Sequence, residues 1–449
     1  MATAETSSGD ERSLAVLKTA TDATLSLLHS CLELVSTIVK SHPNGDAARL
    51  PPSPSFSSAS SSAFTVSSRP DPAPIPPESY TDPLTTAHSA ALLVRANSTK
   101  LGLLLLNAPF TPSAIVTVLK ELGGGAIPTL AAAAEQLAGV DQQRKPDQEK
   151  PRYHYTELVR QEVARASWRV LEQLRLLLAE IPLSKFPTAA QQAAKKNAVT
   201  SSTGLLWAAC DRLSELSRPG GVGPKEFLIK TVEGYAAVMK DTLEELKEWG
   251  EEESDSGDES DDDQLATESA GSAGTSLPSA PSKHDAAQSL VDALFSNQKH
   301  IPSSDPAQLR PRLELTTKRL RLCTLLCAAV IKRRIKPLPV IKPSTSAAAA
   351  AIPWPAHEPT TARLDAGLAA LAQTRDAFDE CAAALYELDP VAVDSALEVA
   401  FVRAFSAAQV WARAWDWDVV PNNGAKNDWV ERDEFSVWAD KFQTSIGQA

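Results

Sequence analysis

A chain of 449 residues is too long for one hydrophobic core, and its 43% apolar content is ordinary for a globular protein, so two folded regions are expected. The formal charge of −12 argues against direct nucleic-acid binding, which requires concentrated Lys and Arg. Five cysteines, at 31, 210, 323, 327 and 381, and no secretory apolar region after Met1 predict a reducing intracellular setting without disulfides. The longest apolar runs, residues 101–106 and 323–331, are shorter than the roughly 20 residues of a membrane helix, so a soluble protein with no membrane partner is expected.

From Glu11 to Lys40, Leu14, Leu17, Leu25, Leu28, Leu32, Val35 and Val39 recur at steps of three and four, which predicts an amphipathic helix within an N-terminal segment 1–42. Residues 43–79 are Ser, Pro and Ala with little else, a composition that buries too little surface to offset chain entropy, so a disordered insertion is expected there. Helical patterning returns at about 82–107, 112–138, 153–182, 189–217 and 224–249, and these form a first bundle over 80–250. The separators carry Pro or Gly, which end helices for steric reasons, and the glycine clusters at 122–128 and 219–225 read as helix breaks. Neither cluster has the Gly-Lys-Ser/Thr ending of a phosphate loop or a strand before it. No stretch alternates with period two over a convincing length, so strands are not expected.

Residues 251–263 carry nine acids and no base, and like-charge repulsion keeps such a block extended. It opens an acidic linker, 251–284. Helices resume at about 285–297, 306–335, 358–388, 391–416 and 428–445, a second bundle over 285–449. The expected fold is all-α, two helical bundles joined by an acidic disordered linker.

Trp207, Cys210 and Asp211 stand at i, i+3 and i+4 and share one helix face. Cys210 has no histidine motif beside it, so a packing thiol is favoured over a nucleophile, and no catalytic residue is nominated. Cys323 and Cys327 share a face too, but no second pair at zinc spacing accompanies them, so neither metal nor cofactor is expected. Glu244 and Lys247 read as a helical i, i+3 ion pair. Five of the nine tryptophans lie in the last 39 residues, either as core between the final helices or as an aromatic partner surface.

Between Arg310 and Lys342 there are ten Lys or Arg against the single acid Glu314. Lys318, Arg319, Arg321, Lys332, Arg333 and Arg334 mark a basic interaction face. The acidic tract can fold back on it, with Ser256 and Ser260 as phosphorylation sites that strengthen the clamp; equally, both are solvated faces, since exposed pairs are weak. Residues 331–337 also fit a nuclear-import patch.

The segment "TGLLWAAC" with Trp207 and Cys210, followed by a break and "VMKDTLEELKEW" with Lys240 and Asp241, resembles the cyclin-D-binding (GCIP) family. The stretches at 98–115 and 155–174 and the acidic linker fit the same pattern, and the resemblance covers about residues 82–265. The Ser/Pro-rich 43–79 departs from it, and the C-terminal half matches only in helical layout. The resemblance implies a non-enzymatic helical cell-cycle regulator of cytoplasm and nucleus that binds cyclin or helix-loop-helix transcription factors. It marks Trp207, Cys210, Lys240 and Asp241 as a core signature. A helical-bundle structural or cytoskeletal adaptor is the alternative, by analogy of fold.

Overall fold

The computed structural model describes residues 2–41, 82–138, 155–251, 300–302, 304–340, 358–415 and 433–448. Among them every regular element is a helix, as the absence of period-two patterning predicts. The expected insertion 43–79, the helix at 285–297 and nearly all of the acidic linker lie outside the described residues. Two compact units divide the chain: Met1–Lys230 with Ile335–Ala366, and Thr231–Arg334 with Gly367–Ala449. The division does not follow the sequence-based boundaries at 250 and 285, because it passes through a continuous helix that the acidic tract follows.

Unit 1 is built on helices α1 (Ala2–Ser41), α2 (Pro83–Leu106), α3 (Pro112–Glu121), α4 (Ile127–Ala138), α5 (Glu157–Ala179) and α6 (Ala189–Leu216). On α1 the buried face is Leu17, Thr21, Thr24, Leu28, Cys31, Leu32 and Val35. The two threonines sit there without penalty because each hydroxyl donates to a carbonyl one turn back, Leu17 at 2.9 Å and Ala20 at 2.8 Å. Helix α2 starts on Asp82, whose carboxylate accepts from Leu84 N–H at 3.1 Å, with Pro83 at the first helical position. The same carboxylate accepts from the Thr85 hydroxyl at 3.0 Å and from the Tyr155 hydroxyl at 2.9 Å, and the latter bond ties the start of α2 to the residues before α5. Helix α2 packs on α6, and Gly102 brings them close: a Cβ there would lie 3.1 Å from Thr203 Oγ1.

Gly123, Gly124 and Gly125 do not break the chain as expected. They lie in a π-helical turn, Leu122–Ala126, that carries α3 straight into α4. Each glycine disfavours helix by about 1 kcal/mol relative to Ala, but Leu122 and Ala126 at the ends of the turn are fully buried, and that packing holds the helical path. The second cluster does break: Pro219–Gly221 forms one 3-10 turn, with Gly220 and Gly221 at φ 75° and 81°. Helix α7 (Val222–Glu251) follows at once, and a Cβ on Gly223 would lie 2.3 Å from the Leu216 carbonyl oxygen, so only glycine fits this corner.

Unit 2 takes α7 from Thr231 onward, α8 (Leu309–Val330) with its π-helical extension Ile331–Ile335 as far as Arg334, α9 (Glu358–Tyr386) from Gly367, α10 (Pro390–Ala412) and α11 (Glu434–Gln448). Its core includes Leu246, Leu320, Cys323, Cys327, Phe378, Cys381, Leu385, Trp411, Trp415, Phe435 and Ile446. Trp411 lies against α9 so closely that a Cβ on Gly367 would meet its ring at 2.4 Å, and its indole N–H donates to the Gly367 carbonyl at 3.2 Å. Trp411 and Trp415 are thus core; Trp417 and Trp429 lie outside the described residues.

Candidate protein-interaction site

Helix α6 begins with a reciprocal capping box, in which Thr188 and Gln191 each bond the other's backbone N–H, and this fixes the register of the Trp207 stretch. Cys210 is buried, 1% exposed. Burial first, then the charge of Asp211, pushes its thiol up to about 12 against the lowering influence of Arg95, so at neutral pH it holds its proton and is a poor nucleophile. Trp207 is half-buried rather than enclosed. Arg95 of α2 spans the outer edge of this face: its guanidinium carbon lies 5.4 Å from the Trp207 ring, and its Nε is 2.8 Å from Asp211 Oδ1. One cation therefore joins the tryptophan and the carboxylate while the thiol faces inward. Lys240 and Asp241, marked with Trp207 and Cys210 as core, are exposed on α7, and they belong to unit 2 whereas Trp207 and Cys210 belong to unit 1. Glu244 pairs with Lys240 at 3.4 Å, not with the expected Lys247.

The cationic run of α8 is not one face. Arg334 is fully buried. Its Nη2 donates to Asp433 Oδ1 at 2.9 Å and to the Ala412 carbonyl at 3.0 Å, its Nε donates to the Trp411 carbonyl at 2.8 Å, and Nη1 contacts Asp433 Oδ2. The guanidinium also lies 4.5 Å from the centre of the Phe435 ring. Burial would raise the Asp433 carboxyl, but the bonds from Arg334 and Ser436 together with the Arg334 charge outweigh it and hold the group well below the usual carboxylate range. Arg319 is half-buried, 4.9 Å from the Phe401 ring centre, with its basicity lowered by burial. Arg312 bonds Asp394 through Nε at 2.6 Å and Nη2 at 2.7 Å, and Arg333 meets Glu434 at 2.5 Å. Lys318, Arg321 and Lys332 are exposed. Three of these cations, Arg312, Arg333 and Arg334, are thus answered by carboxylates on or just before α10 and α11. Ser256 and Ser260 lie outside the described residues, as does the acidic tract beyond Glu251.

A groove lies in each unit. In unit 1, about 670 Å³ lies between α1 and the α3 turn, lined by Val16, Thr19, Ala23, Leu27, Val116 and Leu119 among others. In unit 2, about 380 Å³ lies between the end of α8 and α11, lined by Ala329, Lys332, Arg333, Glu434, Phe435, Val437, Trp438 and Lys441. Sequence reasoning missed this second groove, because Lys441 and Trp438 are more than a hundred residues from Lys332 and no local pattern joins them. No group of three or more metal-ligating side chains occurs among the described residues.

Residues 148–252 match the family described as Grap2 and cyclin-D-interacting, N-terminal. That segment contains α5, α6 and α7 with all four marker residues, and the match supports membership of the GCIP-like family from part of the chain. No curated protein and no solved structure matches the chain. The expectation that no helix suits a membrane does not hold on length and composition: Glu11–Lys40, Pro83–Leu106 and Pro112–Ala138 are each long and apolar enough to cross one. The longest unbroken apolar runs missed this because alanine, valine and isoleucine spread between the leucines raise the mean hydropathy of a longer window.

Proposed function

We propose that this chain is a non-enzymatic regulator of the cell cycle, acting in cytoplasm and nucleus, that binds cyclin or helix-loop-helix transcription factors through helical surfaces. The observation that carries the reading is the match of residues 148–252 to the cyclin-D-interacting family. The buried, protonated Cys210 supports it, because the most reactive residue type in that segment serves packing. Helices α5 and α6 also present Trp168, Leu176 and Leu205, which are 38%, 39% and 57% exposed, and partner helices dock on apolar positions of this kind.

The test is binding of purified D-type cyclin, and separately of a helix-loop-helix protein, to the full chain. Micromolar or tighter binding is expected for one of them, weakened about tenfold by Trp168→Ala with Leu205→Glu. Failure of both proteins to bind overturns the reading. Recovery of actin or membrane proteins from extracts instead replaces it with a scaffold.

A further inference from the structure

The groove of unit 2 is amphipathic in a way that specifies its occupant. Its floor is apolar: Phe435 and Trp438 are 5.5 Å apart between ring centres, Trp438 stacks on Phe442 at 5.6 Å, and Val437 beside them is 44% exposed. Its rim is cationic, with Lys332, Arg333 and Lys441 all exposed. Glu434 answers Arg333, which leaves the rim an excess of two positive charges from Lys332 and Lys441.

We infer that this groove receives an acidic segment of a partner protein in which an aromatic or aliphatic side chain is flanked by carboxylates. The apolar side chain lies on Trp438 and Val437, and the carboxylates reach Lys332 and Lys441. Charge complementarity selects this occupant. A nucleic-acid strand fits less well, since Glu434 stands in the groove and Arg334, next to Arg333 in the chain, is buried on Asp433. The chain's own tract 251–263 matches the rim and not the floor, because it contains no apolar residue. The inference is independent of the family match, as the groove lies outside residues 148–252.

The experiment is selection of a random twelve-residue peptide display library on the full chain. Enriched peptides are expected to carry at least two Asp or Glu around one aromatic or aliphatic residue, with binding that weakens as salt is added. Lys332→Glu with Lys441→Glu, both exposed and checked for an unchanged circular dichroism spectrum, should weaken the best peptide at least tenfold, and Trp438→Ala should do the same. No enrichment, enriched peptides without acids, or equal binding to the double variant overturns the inference. So does competition by the synthetic peptide 251–263, or by a single-stranded oligonucleotide, that equals competition by the selected peptides.

Discussion

In unit 1 the face of Trp207, Cys210 and Asp211 carries the cation Arg95 of α2 across its half-exposed edge; in unit 2 the consecutive residues Lys332, Arg333 and Arg334 point to solvent, to Glu434 and into the core. Both stretches stood out by residue type, one for a thiol and one for charge. The thiol is buried where chemistry was the question, and one of the charges is buried on Asp433 where only a surface was expected. Residue type ranks attention, and the position within the helical repeat decides what the side chain does.

The strongest way to break this contrast is Arg334→Ala. It leaves Asp433 without its counter-charge and the Trp411 carbonyl without its side-chain donor, while Ser436 still donates to Asp433 and to the Ala412 carbonyl, and a loss of about 3–5 kcal/mol is expected in denaturant unfolding. A loss under about 1 kcal/mol would return Arg334 to the surface class. Next is Gly367→Ala, whose added methyl meets the Trp411 ring and should cost about 1–3 kcal/mol by overpacking.

Acid titration sharpens the same point. Because the folded Asp433 carboxyl lies below its unfolded value of about 3.9, its stabilisation is present above that pH and is lost as pH falls below it toward the folded value. Unfolding measured between pH 7 and pH 3 should therefore show a fall that Asp433→Asn reduces. Cys210→Ala should cost about 1 kcal/mol, the scale of one buried methylene, and intact Cys210 should resist alkylation by iodoacetamide at pH 7.5 until the chain is unfolded. The smallest effect belongs to Lys332→Ala, within about 0.5 kcal/mol of the parent, although the same residue is expected to matter for peptide binding.

Much of the helical layout was legible, because apolar spacing and Pro or Gly punctuation report local structure directly. Arg334 was legible too, by a signal that its charge obscured: Leu313, Leu320, Cys323, Cys327, Val330 and Arg334 follow one another at steps of three, four or seven, so the arginine continues the buried stripe. What compensates it was not legible, since Asp433 lies 99 residues away and pairing at that separation leaves no local trace. The Gly123–Gly125 turn failed for the opposite reason. Local propensity argued for a break, and burial of Leu122 and Ala126 overrode it. The cationic groove needed two pieces of chain about a hundred residues apart, and no local pattern joins them.

The interleaving of the two units has a consequence for biosynthesis. Chains fold progressively as they leave the ribosome, the earlier parts first. Here unit 1 receives its final piece, Ile335–Ala366, only after Thr231–Arg334 has already emerged, and that stretch must wait in turn for Gly367 onward. Arg334 therefore spends the synthesis of the next 98 residues without its carboxylate, and its burial has to follow the arrival of Asp433. A release of the chain at residue 250, between the two bundles that composition suggests, would leave α7 without the helices of unit 2.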